Sequence, residues 1–165
     1  MKSIVLIGMM GAGKTTALQM LTKGSNLTGI DTDDVVETVS GMSIPEIFEV
    51  HNEKYFRNLE SGALLKTLGK YDIIASGGGI IKREQNRKLL ANHASVIYLK
   101  ASLSTLKKRL QNSERPLLPQ LESVFNERKF IYESCANFTI NTDDLTPEEV
   151  VTKVKKFTDA HLNDG

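Results

Sequence analysis

The sequence has little of several residue types, and each shortage excludes a class of protein. Among 165 residues the only cysteine is Cys135, which excludes an internal disulfide framework and favours the reducing cytoplasm. With 21 basic and 20 acidic residues the net charge is +1, so we expect no general affinity for nucleic acid. No stretch approaches the ~20 apolar residues that cross a bilayer. We therefore expect one cytoplasmic domain over residues 1–165, a monomer by default, without a nucleic-acid or membrane partner.

Short apolar runs recur along the chain, separated by longer segments with helical spacing. The runs are Ile4–Ile7, a weaker Leu27–Ile30, Ile73–Ala75, Val96–Leu99 and Phe138–Ile140. This alternation predicts an α/β fold, a three-layer sandwich in which helices cover both faces of a five-stranded parallel sheet. Ligands of such sheets gather at the carboxyl ends of the strands, so the residues that follow each run are the candidate site residues.

The most informative stretch follows the first run and reads Gly8-Met9-Met10-Gly11-Ala12-Gly13-Lys14-Thr15. It fits the phosphate-loop pattern G-x4-G-K-[ST], between a strand and a helix as that pattern requires. Backbone N–H groups of such a loop surround phosphates, Lys14 can reach the outer phosphates, and the Thr15 hydroxyl can bind Mg²⁺. The alternative is a glycine-rich turn with a solvated lysine. Because both flanks are correct, the stretch predicts binding of a nucleoside triphosphate.

Acidic residues follow the second run, and glycines follow the third. If the chain is extended there, Asp31 and Asp33 point to one side, so one can hold Mg²⁺ through water while the other accepts a hydrogen bond from a substrate hydroxyl. The alternative is that they cap a helix. The glycines from Gly77 to Gly79 would let a ligand approach the backbone, or they form a flexible turn. No carboxylate ends the third run, where a Walker-B aspartate is common, so Asp31 becomes the candidate metal-side acid.

Two arginines lie in predicted helices. Arg57 is spaced i,i+4 from Glu53 and i,i+3 from Glu60, which is typical of surface ion pairs. Arg128 falls on the apolar stripe of a later helix. A charge on a buried face needs a partner, so Arg128 indicates either an anionic ligand or a core ion pair with a carboxylate.

The segment at about 111–120 is polar and contains two prolines, which predicts a loop that can move as a lid. Arg115 within it can bring positive charge to a transferring phosphoryl group, or it is a solvated loop residue. Two capping boxes predict helix starts elsewhere. One is Ser43 with Glu46, and the other is Thr146 with Glu149, directly around Pro147.

In order and spacing, these pieces resemble the shikimate kinase family, small members of the nucleoside-monophosphate-kinase-like group of phosphate-loop NTPases. The resemblance covers nearly the whole chain and is carried by Gly8–Thr15, Asp31-Thr32-Asp33, Glu46-Ile47-Phe48, Phe56-Arg57, Gly77-Gly78-Gly79, Arg115-Pro116-Leu117-Leu118, and Arg128 with Tyr132. It implies a single kinase domain that transfers a phosphoryl group from ATP to the 3-hydroxyl of shikimate. The products, shikimate 3-phosphate and ADP, belong to aromatic amino acid biosynthesis.

The resemblance also implies residue roles. The implied ATP site comprises Gly11, Ala12, Gly13, Lys14, Thr15, Thr16, Arg109, Arg115 and Pro147, with Arg109 and Pro147 flanking adenine. Mg²⁺ would lie at Thr15, with Asp31 acting through water. The lid between Arg109 and Pro119 is shorter and less basic than in many members of the family.

On the acceptor side, the resemblance implies a substrate-binding helical segment at about 32–60. The implied shikimate-binding residues are Asp33, Arg57, Gly78, Gly79 and Arg128, with both arginines on the carboxylate. Asp33 would also be the base, and the implied catalytic residues are Lys14, Asp33 and Arg115. Two other functions stay open: a kinase of this fold for gluconate or a nucleoside monophosphate, and a regulatory protein that binds ATP without catalysis.

Overall fold

The structure is a computed structural model that describes residues 2–111 and 118–162. Its strands are β1 Ser3–Ile7, β2 Gly29–Asp31, β3 Ile73–Ala75, β4 Ala94–Lys100 and β5 Phe138–Asn141. Its α-helices are α1 Lys14–Thr22, α2 Thr32–Ser40, α3 Ile44–Val50, α4 Glu53–Thr67, α5 Glu84–His93, α6 Leu103–Gln111, α7 Leu121–Cys135 and α8 Pro147–Leu162. Short 3₁₀ helices cover Ile80–Lys82 and Leu118–Gln120.

The five strands form one parallel sheet in the order β2-β3-β1-β4-β5, which confirms the predicted α/β fold. The central strand β1 pairs with β3 and β4, so Val5 lies opposite both Ile74 and Val96. The second strand begins two residues later than predicted. There the N–H and the hydroxyl of Thr28 donate to a carboxylate oxygen of Asp72, at 2.7 and 2.8 Å, and fix the entry to β2.

Side chains of β1 alternate between the two faces of the sheet, as the pleat requires. Val5 and Ile7 join a core cluster shared with α5, α6 and α7, whereas Ile4 and Leu6 join a second cluster shared with α1 and α8. All four side chains are fully buried, and burial of each contributes about 1.5–3 kcal/mol. The three layers therefore follow from one continuously apolar strand. A smaller cluster, including Ile47, joins α2, α3 and α4.

Both predicted capping boxes are confirmed. At the start of α3, Ser43 Oγ accepts from the Glu46 N–H at 3.3 Å, and a Glu46 carboxylate oxygen accepts from the Ser43 N–H at 2.7 Å. Thr146 and Glu149 make the same reciprocal pair at the start of α8, at 3.2 and 2.8 Å. These contacts fix where the helices begin.

The predicted lid falls mostly outside the described residues, which exclude 112–117. Gln111 is the last residue of α6, and the chain is described again from the 3₁₀ helix Leu118–Gln120. In the two described ranges, none of the helices is long and apolar enough to cross a membrane.

Candidate active site

The phosphate loop, residues 8–15, connects β1 to α1 at the carboxyl edge of the sheet. Gly8 is required there because a Cβ would lie 2.6 Å from the Leu99 carbonyl oxygen of β4. Gly13 precedes α1 with a φ of 96°, a left-handed conformation that favours glycine. The Lys14 ammonium donates to the carbonyl oxygens of Gly8 and Met9 at 2.6 and 2.9 Å. The lysine therefore lies against its own loop, where its charge would face bound phosphates.

Thr15 and Asp31 are brought together beside this loop. The Thr15 hydroxyl donates to one Asp31 carboxylate oxygen at 2.9 Å, and the other oxygen accepts from the Asp33 N–H at 2.9 Å. Of the two alternatives for Asp31 and Asp33, the helix cap forms and the extended chain does not, because α2 begins at Thr32 and Asp31 caps it. Asp31 thus combines both proposed roles: it caps a helix and lies next to the Thr15 hydroxyl.

The Thr15 and Asp31 oxygens fit Mg²⁺ by their chemistry, since this ion prefers oxygen ligands. Across the described part of the chain, no three His, Cys, Asp or Glu side chains are grouped so as to bind a metal. Mg²⁺ in kinase sites needs no such group, because water and substrate phosphates supply most of its ligands. The residues present therefore fit a nucleotide-bound magnesium ion.

The glycine loop, Gly77–Gly79, follows β3 and is packed on several sides. The Gly77 N–H donates to the Thr32 hydroxyl oxygen at 3.1 Å. A Cβ on Gly77 would lie 2.8 Å from an Asp33 carboxylate oxygen and 2.9 Å from Glu60 Oε2. Two carboxylates therefore lie against the loop, and any side chain at Gly77 would displace them. This packing does not resemble the alternative of a bare flexible turn.

Arg57 lies against the other end of the glycine loop. A Cβ on Gly79 would lie only 2.1 Å from an Arg57 guanidinium nitrogen. The guanidinium pairs with Glu53 at 3.3 Å and with Glu60 at 2.8 Å, so the two predicted ion pairs form. The pair with Glu60 is not an ordinary surface pair, because the Arg57 side chain is 13% exposed and that of Glu60 only 1%.

The sequence did not indicate that Glu60 belongs to the site, because its spacing from Arg57 is typical of a surface ion pair. Burial raises the pKa of the Glu60 carboxyl, and the nearby Arg57 guanidinium opposes the rise. Its second oxygen is buried without a hydrogen-bond partner among residues 2–111 and 118–162. The only sequence signal for burial is that Glu60 is spaced i,i+4 from both Phe56 and Leu64, which are buried in α4.

Arg128 of α7 reaches the middle of the glycine loop. A Cβ on Gly78 would lie 3.4 Å from Arg128 Nη1, 3.5 Å from the Gly8 carbonyl oxygen and 3.6 Å from the Tyr132 hydroxyl oxygen. Arg128 Nε is buried and has no hydrogen-bond partner within the described ranges. The phosphate loop and the glycine loop therefore meet at Gly78, with an arginine beside the junction.

Arg109 ties α6 to the phosphate loop. Its guanidinium donates to the Gly11 carbonyl oxygen at 3.1 Å and to the Thr142 carbonyl oxygen at 3.2 Å. Pro147 is the first residue of α8. The remaining predicted nucleotide residues differ in exposure: Ala12 is buried in the core, Thr16 is exposed, and Arg115 lies outside the described residues.

Comparison with known proteins bears on this arrangement. A sequence model of the shikimate kinase family matches residues 10–159. Similar proteins include the shikimate kinases of Thermodesulfovibrio yellowstonii, 39% identical over 94% of each chain, and Enterococcus faecalis, 40% identical over 93% of this chain and 96% of the other. A solved shikimate kinase from Acinetobacter baumannii in complex with shikimate has a TM-score of 0.87, at 30% identity over 95% of this chain and 92% of that one.

Proposed function

This chain belongs to the shikimate kinase family and phosphorylates shikimate with ATP in aromatic biosynthesis, and we propose that it does so with the residues that meet around Gly78. The observation that carries this proposal is the junction between the two loops. The Gly8 carbonyl accepts from Lys14 on one side and lies beside Gly78 on the other. A phosphate donor and a carboxylate-bearing acceptor bound at these loops would be neighbours, as direct transfer requires.

On the acceptor side, Arg57 and Arg128 bind the shikimate carboxylate, assisted by the backbone of Gly78 and Gly79. Guanidinium groups suit this task because their planar donors match the two oxygens of a carboxylate. Support comes from burial: both arginines lie at the glycine loop, and Arg128 Nε has no protein partner among the described residues. Glu60 holds Arg57 in place through its ion pair.

Asp33 orients the 3-hydroxyl of shikimate and accepts its proton as the phosphoryl group is transferred. Its carboxylate lies against Gly77, in the first turn of α2. Lys14 offsets the negative charge of the phosphoryl group during transfer, and Arg115 of the lid adds a second positive charge there. Closure of a lid at about 111–120 would exclude water, which otherwise competes as the acceptor.

On the donor side, the ATP phosphates contact the loop from Gly11 to Thr16, and Arg109 and Pro147 flank the adenine. Thr15 would hold Mg²⁺ with its hydroxyl, and Asp31 would assist through water. When bound, Mg²⁺ offsets negative charge on the phosphates. The domain over residues 1–165, the substrate-binding segment at about 32–60, the monomeric state and the cytoplasmic location stay predictions.

The proposal is tested by ADP release coupled to NADH oxidation, with Mg-ATP and, in parallel, shikimate, gluconate, nucleoside monophosphates or no acceptor. We expect turnover with shikimate alone and mass-spectrometric detection of shikimate 3-phosphate. Asp33→Asn should lower kcat by roughly 10²–10⁴-fold, the usual contribution of a general base. Asp34→Asn is the matched control, since it removes the adjacent carboxylate and should leave kcat within about twofold.

Turnover with gluconate or a nucleotide instead of shikimate would contradict the acceptor assignment. Equal losses in the Asp33 and Asp34 variants would contradict the role of Asp33 while leaving the reaction itself in place. ATP binding without turnover of any acceptor would favour the regulatory alternative.

A further inference from the structure

Tyr132 occupies a central position that none of the roles above uses. Its side chain is fully buried in α7, and its ring stacks on that of Tyr98 with centroids 5.1 Å apart. Its hydroxyl donates a hydrogen bond to the carbonyl oxygen of Gly78 and lies 3.7 Å from Met9 Sδ in the phosphate loop. One hydroxyl therefore touches both loops that meet at the proposed site.

The hydroxyl of Tyr132 is a dependable donor. Burial raises its pKa to about 12, even though the positive charge of Arg128 nearby acts in the opposite direction. At neutral pH the hydroxyl therefore keeps its proton and can donate a hydrogen bond to the Gly78 carbonyl oxygen. Because a partly buried carbonyl that loses its donor is destabilising, this bond constrains how the peptide group can rotate.

The Gly78–Gly79 peptide group links this bond to the substrate side of the loop. No cis peptide bond occurs in the described chain, so this peptide is trans. In a trans peptide the C=O and the N–H point in opposite directions. With the Gly78 carbonyl turned towards the Tyr132 hydroxyl, the Gly79 N–H points away from that hydroxyl. No hydrogen bond between described residues uses that N–H.

A second hydroxyl fixes the same loop from the other side. Thr32 Oγ1 accepts from the Gly77 N–H at 3.1 Å. Three glycines in succession would otherwise leave the loop with wide conformational freedom. With Thr32 at one end and Tyr132 in the middle, the loop presents its next N–H beside Arg57, which lies against Gly79.

We propose that Tyr132 is a positioning residue for the acceptor: by holding the Gly78 carbonyl, its hydroxyl directs the Gly79 N–H at the shikimate carboxylate. This role rests on the proposed function. Without the hydroxyl, the peptide can rotate and present its carbonyl oxygen, which repels a carboxylate. The loss is therefore specific to the acceptor, and it does not extend to ATP.

The test compares Tyr132→Phe with Tyr98→Phe. The two tyrosines stack on each other; Tyr132 is 0% exposed and Tyr98 1%, and burial raises the pKa of each to about 12. Each substitution therefore removes one hydroxyl oxygen from similar surroundings. We expect Tyr132→Phe to raise KM for shikimate roughly five- to tenfold, the usual effect of one hydrogen bond, with kcat and KM for ATP within about twofold of wild type. Tyr98→Phe should leave all three within about twofold.

Three results would overturn the inference: an unchanged shikimate KM in folded Tyr132→Phe, an equal rise in KM for ATP, or an equal rise in Tyr98→Phe. Thermal melts establish whether each variant folds.

If Tyr132→Phe does not fold, 3-fluorotyrosine at position 132 gives a second test. It closely preserves the shape of the side chain, and its hydroxyl is more acidic and therefore a stronger hydrogen-bond donor. It should lower KM for shikimate, and an unchanged KM would overturn the inference. Absent wild-type turnover of shikimate would overturn the proposed function, whereas normal wild-type turnover with an unaffected variant overturns only this inference.

Discussion

The phosphate loop and the acceptor cluster, here Arg57, Glu60 and Arg128 around the glycine loop, are built differently for the anions that we propose they bind. The phosphate loop is one continuous segment that offers backbone N–H groups and a single lysine. The acceptor cluster is assembled from side chains of α4 and α7, and one of its arginines is paired with a buried glutamate. The first site is therefore encoded locally, and the second exists only in the folded protein.

Because of this difference, we expect substitutions to affect ligand binding differently at the two sites. Only proline removes a backbone donor, so other substitutions should affect the phosphate loop mainly at Lys14, Thr15 and the glycines. The acceptor cluster depends on the buried ion pair between Arg57 and Glu60, where removal of one partner leaves the other charge buried. Changes there should alter acceptor binding and the pH dependence of stability, without altering nucleotide binding.

The largest effect should come from Lys14→Met, which keeps the length of the side chain and removes its charge. We expect kcat to fall roughly 10²–10³-fold, because a positive charge near the transferring phosphoryl group is lost. Steady-state ADP release measures this loss. Lys23→Met, an exposed lysine just after α1, is the control and should behave as wild type. Similar kcat values for Lys14→Met and wild type would mean that the phosphate loop works through its backbone alone.

The next effect should come from Arg57→Ala. We expect KM for shikimate to rise roughly 10–100-fold, since a hydrogen bond to a charged group contributes about 1.5–3 kcal/mol. KM for ATP should stay within about twofold, which separates the acceptor cluster from the phosphate loop. Arg83→Ala is the control, because Arg83 also contacts α4, at Ser61 and the Lys54 carbonyl, but lies outside the cluster. A parallel rise in both KM values would abolish the distinction between the two sites.

The smallest effect concerns stability and comes from Glu60→Gln. Burial raises the pKa of Glu60 above its ordinary value of 4.5, so the folded state binds this proton more tightly than the unfolded state does. Its contribution to the free energy of unfolding is then fully present below pH 4.5 and is lost as the pH rises towards the raised pKa. Relative to Glu60→Gln, which cannot titrate, wild type should lose stability over this interval in urea unfolding.

Glu53→Gln is the matched control for Glu60, because the other acidic partner of Arg57 has the opposite shift. A hydrogen bond from Lys82 lowers the pKa of Glu53, so its contribution is present above pH 4.5 and is lost as the pH falls through the lowered pKa. The two variants should therefore differ from wild type with slopes of opposite sign. Slopes of the same sign would contradict the assignment of Glu60 as the buried partner.

The sequence predicted the strands of the sheet, both capping boxes and the phosphate loop because each has a pattern of residues close together in the chain. It left two alternatives open for Asp31, since an extended pair of acids and a helix cap look alike until α2 is seen to begin at Thr32. It treated Glu60 as a surface partner of Arg57 because spacing along a helix does not show which face packs against the glycine loop. Arg115 stays a prediction, outside the described residues.

The central claim is that the acceptor cluster recognises a carboxylate, and the most direct test compares shikimate with its neutral methyl ester in the wild-type enzyme. We expect kcat/KM for the ester to be lower by roughly 10–100-fold, the value of the lost charge-assisted hydrogen bonds. Arg57→Ala should reduce this discrimination. Equal kcat/KM values for shikimate and the ester in wild type would show that the cluster does not recognise the carboxylate.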